Sequence, residues 1–159
     1  MKVVVVAGNR NAGKTSLIEE LLEVIPPALS VATVKSIHHE VEFDSPGTDT
    51  HRHRTAGADT VVGVTPSQTA EFRNEGKEDG VTLRETLAEL ADRDVDWVFV
   101  EGFKSAELPT ILVGDINESA VEGPVRFRIS DGTAVDGERI FSRLESVTDW
   151  QADSASQSG

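Results

Sequence analysis

The chain has 159 residues, enough to bury a full core, and its 38% hydrophobic and 27% charged content is that of a globular protein. Its 28 acidic against 15 basic residues give a net charge of −13, which disfavours nucleic acid and anionic membranes as partners. No cysteine is present, which excludes a disulfide framework, a thiolate metal site and a cysteine nucleophile. The N-terminus reads as a buried strand, not a signal peptide, and no run approaches the length of a membrane span. A soluble, cytoplasmic protein is the expectation. The acid-rich, lysine-poor balance resembles proteins of salt-accumulating cytoplasms, with an ordinary acidic protein as the plain alternative.

In chain order, Val3-Val4-Val5-Val6-Ala7 reads as an unbroken apolar strand. The next stretch, Gly8-Asn9-Arg10-Asn11-Ala12-Gly13-Lys14-Thr15, fits the phosphate-loop pattern GxxxxGK[ST]. A helical stripe of Leu17, Ile18, Leu21, Leu22 and Ile25 follows. Strand, glycine loop and helix in that order are the context a phosphate loop requires. Gly8 and Gly13 allow backbone N–H groups to converge on phosphate oxygens, and the helix N-terminus adds partial positive charge. Lys14 can reach the β- and γ-phosphates, the Thr15 hydroxyl can ligate Mg²⁺, and Ser16 completes the nucleotide-binding stretch. A tight strand-to-helix turn without a ligand is the bland reading, and both flanks weigh against it.

Pro26-Pro27 stops the helix, and Ser30 to Ile37 reads as a second strand. Ser45-Pro46 predicts a helix N-cap with proline in the first turn, opening a short polar helix over Thr48 to Ala56 that ends at Gly57. Asp59–Val64 and Gln68–Phe72 predict a hairpin at a sheet edge, with Thr65-Pro66-Ser67 as its turn. Asn74 to Gly80 reads as a charged loop, and Thr82 with Glu85 as a capping box before a helix carrying Leu83, Leu87 and Leu90. Asp96 to Glu101, Pro109 to Val113 and Val125 to Ile129 are later strands, and Ile140, Phe141, Leu144 and Val147 lie on a last helix. Alternating strands and helices predict a three-layer α/β domain with a mostly parallel, partly mixed central sheet over residues 1–150 and a frayed tail over 151–159.

Ligands in such sheets bind beyond the carboxyl ends of the strands, which nominates Gly8 to Thr15, Lys35 to Asp44, Glu101 to Lys104, and Asp115. Glu101 ends a buried strand, where a phosphate-loop enzyme needs an acid to hold Mg²⁺ or orient water; a solvated strand-end acid is the alternative. The segment from Lys35 to Arg54 holds all 4 histidines, His38, His39, His51 and His53. Three readings stay open for it: a transition-metal site, a switch in which Asp44 or Asp49 approaches Mg²⁺ while Lys35, Arg52 and Arg54 meet an anion, or a solvated face. His51 and His53 are two apart and do not share a helix face, so the metal site ranks lowest.

The loop GNRNAGKT, the segment VKSIHHEVEFDSPGTDTHRHRTAGA and the strand VFVEGFK together resemble the molybdopterin-guanine dinucleotide biosynthesis protein B family, over roughly residues 2–146. The resemblance implies a GTP-binding, homodimeric protein with weak GTP hydrolysis. Such a protein assists the guanylyltransferase that joins GMP to molybdopterin, with molybdopterin itself a possible second ligand. It places Gly8 to Thr15 on the phosphates and Glu101 in the Walker-B-like position. His39, Asp44, Gly47, Asp49, Arg52, His53, Gly57 and Ala58 match the middle signature, and Gly102 with Lys104 the following loop. Ser36 departs from the basic or histidine residue often found there, and the loop at Ala106 and Glu107 lacks the expected basic character. No Asn-Lys-x-Asp guanine signature is present, so GTP rests on the resemblance; Asp115 is either a guanine-reading carboxylate or an exposed turn residue. Lys14 and Glu101 are the residues expected to carry the chemistry, with Thr15, Glu101 and Asp44 on the metal. A small-molecule kinase on the same scaffold is the alternative of a different class.

Overall fold

A computed structural model of the chain describes residues 1–76, 82–133 and 135–151. The tail expected beyond Gln151, and part of the expected charged loop before Thr82, lie outside the described residues. The chain divides into two units, the first holding Met1–Ser36 and Leu87 onward, the second Ile37–Thr86.

The first unit is built on a five-stranded sheet. Its strands are β1 (Lys2–Gly8), β2 (Val31–Lys35), β5 (Trp97–Glu101), β6 (Thr110–Val113) and β7 (Val125–Ile129), in the order β2-β5-β1-β6-β7. Every neighbouring pair is parallel. The valine run of β1 occupies the centre, and Val3 to Val6 are at most 1% exposed. A strand covered on both faces has no polar side to alternate with, which is why its sequence is continuously apolar.

Helices α1 (Lys14–Val24) and α4 (Gly137–Leu144) join one core with this sheet, in which Leu17, Leu21, Phe141 and Leu144 meet Val4, Val6, Trp97 and Phe99. Trp97 lies 5.1 Å from Phe141 and 6.0 Å from Phe99, ring centre to ring centre. Leu22, expected on the inward stripe of α1, is 41% exposed. The buried positions Leu17, Ile18, Leu21 and Ile25 already fill the face, and Leu22 falls on its shoulder.

Register fixes which strand ends meet. Val6 and Lys35 both stand beside Glu101, and Gly8 stands beside Val113. The carboxyl ends of β1, β2, β5 and β6 therefore share one edge.

The second unit carries α2 (Asp49–Thr55) and an antiparallel hairpin of β3 (Thr60–Val64) and β4 (Thr69–Arg73). Helix α3 (Leu83–Ala91) follows and contains the division between the units. The anticipated capping box is present: Glu85 N–H donates to the Thr82 hydroxyl and Thr82 N–H to the Glu85 carboxylate. Two expectations need correcting here. The hairpin is not a mixed edge of the central sheet but a separate two-stranded sheet, because each strand finds its partner across its own turn, where Thr65 N–H bonds Gln68 O. The N-cap of α2 is Thr48, not Ser45. The Thr48 hydroxyl accepts from His51 N–H, whereas Ser45 lies in the preceding turn.

Candidate functional site

The glycine loop leaves β1 at Gly8 and enters α1 at Lys14. Gly8 has no room for a side chain: a Cβ there would lie 2.5 Å from the Val113 carbonyl oxygen. Gly13 caps the helix with φ +87°, a left-handed conformation that costs an L-residue about 1–2 kcal/mol. Asn11 also takes a positive φ of 62°. Two positive-φ residues of this kind curl the backbone tightly just before the N-terminus of α1, where a phosphate can be received. Lys14 Nζ donates to Asn9 O at 2.7 Å, which holds its ammonium over the loop.

Glu101 is brought to this loop from β5. The Thr15 hydroxyl donates to Glu101 Oε2 at 3.1 Å, and Lys35 Nζ lies 3.1 Å from the same oxygen. The Glu101 side chain is only 14% exposed, so these partners matter more than they would on an open surface. A hydroxyl and a carboxylate are hard oxygen donors of the kind Mg²⁺ prefers, so Thr15 and Glu101 fit that ion. Gly102, with φ +94°, lets the chain turn away immediately after Glu101, and a Cβ there would meet Ser36 at 2.8 Å.

Gly132 was missing from the strand-end shortlist. It follows β7, and its N–H donates to Ala12 O at 3.3 Å. A Cβ on Gly132 would lie 2.2 Å from Gly13 O, so two backbones touch where the loop becomes helix. Applying the strand-end rule to Ile129 would have found it. Asp131 shapes this turn by accepting from Thr133 N–H and its hydroxyl, which hold its carboxyl below the ordinary range. Asp115 also stands by the loop, but through its backbone: its carbonyl accepts from Asn9 Nδ2 at 3.4 Å.

In the second unit the polar residues bond one another. Asp44 Oδ1 accepts from Ser45 N–H at 2.8 Å and from the Thr48 hydroxyl at 3.1 Å. The Thr50 hydroxyl, then Thr48 and the Ser45 amide, keep the Asp44 carboxyl below its usual range. Glu42 accepts from Arg54 and from Asp44 N–H; Arg54 first, then that amide, lower its carboxyl in turn. His51 Nε2 lies 3.7 Å from Glu42. Lys35, Arg52 and Arg54, expected as an anion patch, each have an acidic partner. Lys35 pairs with Glu101, Arg54 with Glu42, and Arg52 with Asp49 at 3.4 Å. Among the described residues no group of three or more histidine or carboxylate side chains is placed to hold a metal.

Comparison with known proteins follows the same lines. Residues 3–124 match the family model for molybdopterin guanine dinucleotide synthesis protein B, MobB. The Haemophilus influenzae molybdopterin-guanine dinucleotide biosynthesis adapter protein is 29% identical over 157 residues, covering 91% of this chain and 86% of that protein. A Methanocaldococcus jannaschii protein carrying the same adapter name is 40% identical over 106 residues, 67% of this chain but only 42% of that protein's length. The crystal structure of Bacillus subtilis MobB superposes with a TM-score of 0.69 at 22% identity, covering 92% of this chain and 99% of that one. A second crystal structure, of molybdopterin-guanine biosynthesis protein B, gives 0.69 at 24% identity over 91% and 97% of the two chains. These structures share the α/β fold with its parallel central sheet. With the family model spanning residues 3–124, the chain belongs to the MobB family.

Proposed function

We propose that this protein is a GTP-binding accessory protein of molybdopterin guanine dinucleotide biosynthesis, with weak Mg²⁺-dependent hydrolysis of its own. The observation that carries the nucleotide part is the Thr15–Glu101 contact at 3.1 Å beside a loop whose Gly8 and Gly13 leave no room for a Cβ. The pathway follows from the adapter names of its relatives. Gly8, Asn9, Arg10, Asn11, Ala12, Gly13, Lys14, Thr15 and Ser16 bind the phosphates. Thr15 and Glu101 hold Mg²⁺, which when bound neutralises charge developing on the phosphates. Asp44 is not required for that assignment, since its carboxylate already organises the turn before α2.

The reading extends to a homodimer that serves the guanylyltransferase, with molybdopterin as a second ligand. The second unit supports assembly through exposed apolar side chains, Phe43 at 72% and Val64 at 75%. A small-molecule kinase on the same scaffold is the second reading; within the second unit Arg52 pairs with Asp49 and Arg54 with Glu42.

Calorimetric titration tests the proposal with GTP against ATP, with and without Mg²⁺, then with molybdopterin present. Lys14→Ala is expected to weaken nucleotide binding about tenfold to a hundredfold, the worth of a charge-assisted hydrogen bond. Glu101→Gln is expected to remove the Mg²⁺-dependent part of the affinity while sparing the rest. Wild-type affinity in both variants, at unchanged thermal midpoints, would sink the nucleotide assignment.

A further inference from the structure

Lys35 is one of only 5 lysines in a chain of net charge −13, and its position is fixed by the sheet. It closes the edge strand β2 in direct register with Glu101 of β5. Its ammonium meets Glu101 Oε2 at 3.1 Å, the same oxygen that accepts from the Thr15 hydroxyl at 3.1 Å. One carboxylate oxygen therefore joins a strand-end lysine to the threonine of the phosphate loop. The Thr15 side of that oxygen is where the terminal phosphates of a bound triphosphate and their metal gather.

The two ends of the pair differ. Glu101 is 14% exposed and anchored at a buried strand end, whereas the Lys35 side chain is 54% exposed on a flexible stem. An ammonium so held is easily re-aimed by a few rotamer changes, and a terminal phosphate carries more negative charge than the carboxylate it leaves. Lys14, by contrast, is held at the loop itself, on Asn9 O. The two lysines stand on different elements, Lys14 at the start of α1 and Lys35 at the end of β2.

We propose that Lys35 is a second phosphate-contacting lysine that reads the terminal phosphate, resting on Glu101 when that phosphate is absent. This rests on the nucleotide-binding reading above, and it adds to that reading a residue that distinguishes triphosphate from diphosphate. A group that touches only the terminal phosphate contributes to triphosphate binding and nothing to diphosphate binding. A lysine that merely braced Glu101 would affect both nucleotides alike through the shared Mg²⁺ site.

The test uses the full-length chain, binding of GTP and GDP at fixed free Mg²⁺, and the variants Lys35→Met, Lys35→Arg and Lys14→Ala. Lys35→Met keeps the stem and removes the charge at a side chain that is 54% exposed, and the thermal midpoint of the nucleotide-free protein checks that the fold is retained. The expected result is a loss of about tenfold or more in GTP affinity, with GDP affinity changed less than about twofold. Lys35→Arg is expected to recover most of that loss, since it restores the charge. Equal losses for GTP and GDP, or no loss for either, overturn the proposal. Failure of the underlying reading looks different: wild-type protein then binds neither nucleotide, or Lys14→Ala binds both as well as wild type does.

Discussion

The two units use their charged residues in opposite ways. In the first, Thr15, Lys35 and Glu101 come from three separate elements and converge on one oxygen. In the second, Glu42, Asp44, Ser45, Thr48 and Arg54 bond one another across a short stretch of chain. The first pattern is assembled by a parallel sheet whose strand ends share an edge, and it leaves groups presented for a ligand. The second makes its hydrogen bonds locally, as capping and turn residues do, but leaves Asp44 Oδ2 and Arg54 Nε buried without a hydrogen-bond partner among the described residues.

The largest effect that can sharpen this contrast lies in the core beneath the site. Phe99 is fully buried beside Trp97, and Phe99→Ala is expected to cost about 3–5 kcal/mol. For a chain of this size that lowers the thermal midpoint by roughly 10 °C. Phe43 in the second unit is 72% exposed, so Phe43→Ala is expected to change stability by less than about 0.5 kcal/mol. Its effect should fall on self-association instead, measured by light scattering. A Phe43→Ala midpoint as low as that of Phe99→Ala would remove the distinction.

Glycines give a second comparison of intermediate size. Gly13 and Gly57 both have positive φ, +87° and +108°, so alanine strains either backbone by about 1–2 kcal/mol. Their surroundings differ. A Cβ on Gly13 would lie 2.9 Å from the backbone of Gly132, while one on Gly57 meets nothing within 4 Å. Gly13→Ala is expected to destabilise more than Gly57→Ala and to weaken nucleotide binding, with Gly57→Ala leaving binding intact. Equal nucleotide affinity in the two variants would show that the loop tolerates displacement and that its geometry is not what binds.

Much of this was legible in the sequence, for identifiable reasons. The apolar β1, the glycine loop and α1 follow from local periodicity and spacing, and Glu101 follows from a strand ending in an acid. The parallel architecture follows from alternating elements. What escaped were partnerships between residues far apart in the chain. Nothing local in Lys35 says that its partner is Glu101, far along the chain, and not one of the acids nearer to it in sequence. Gly132 likewise touches Gly13 only because β7 ends beside the loop. The N-cap of α2 was misplaced because Ser45-Pro46 is as good a start signal as Thr48, and which of them wins depends on the turn that Asp44 builds. The hairpin was placed on the wrong sheet because strand pattern carries pairing preference but not partner identity.

The smallest effect concerns acid, and its sign follows from the second unit's bonds. Glu42 has an ordinary carboxyl value of 4.5, and Arg54, then the Asp44 amide, lower it in the folded protein. A group whose folded pKa is depressed stabilises the fold above its unfolded pKa, and that contribution fades as pH falls through the lower folded value. The contribution of Glu42 is thus complete above pH 4.5 and lost below it. Asp44 behaves in the same way from its ordinary value of 3.8. Glu42 is open to solvent, so salt screens the charge part of its contribution and leaves mainly the hydrogen bonds, whereas one Asp44 carboxylate oxygen is buried. The Asp44 amide proton, which donates to Glu42 at 2.9 Å, reports this titration by NMR. Its resonance is expected to move with a midpoint below 4.5 and to be flat in Glu42→Gln over the same range. A midpoint at or above 4.5 would mean that Arg54 does not hold Glu42 in solution. The arginine would then be released toward an anion, as the sequence alone suggested.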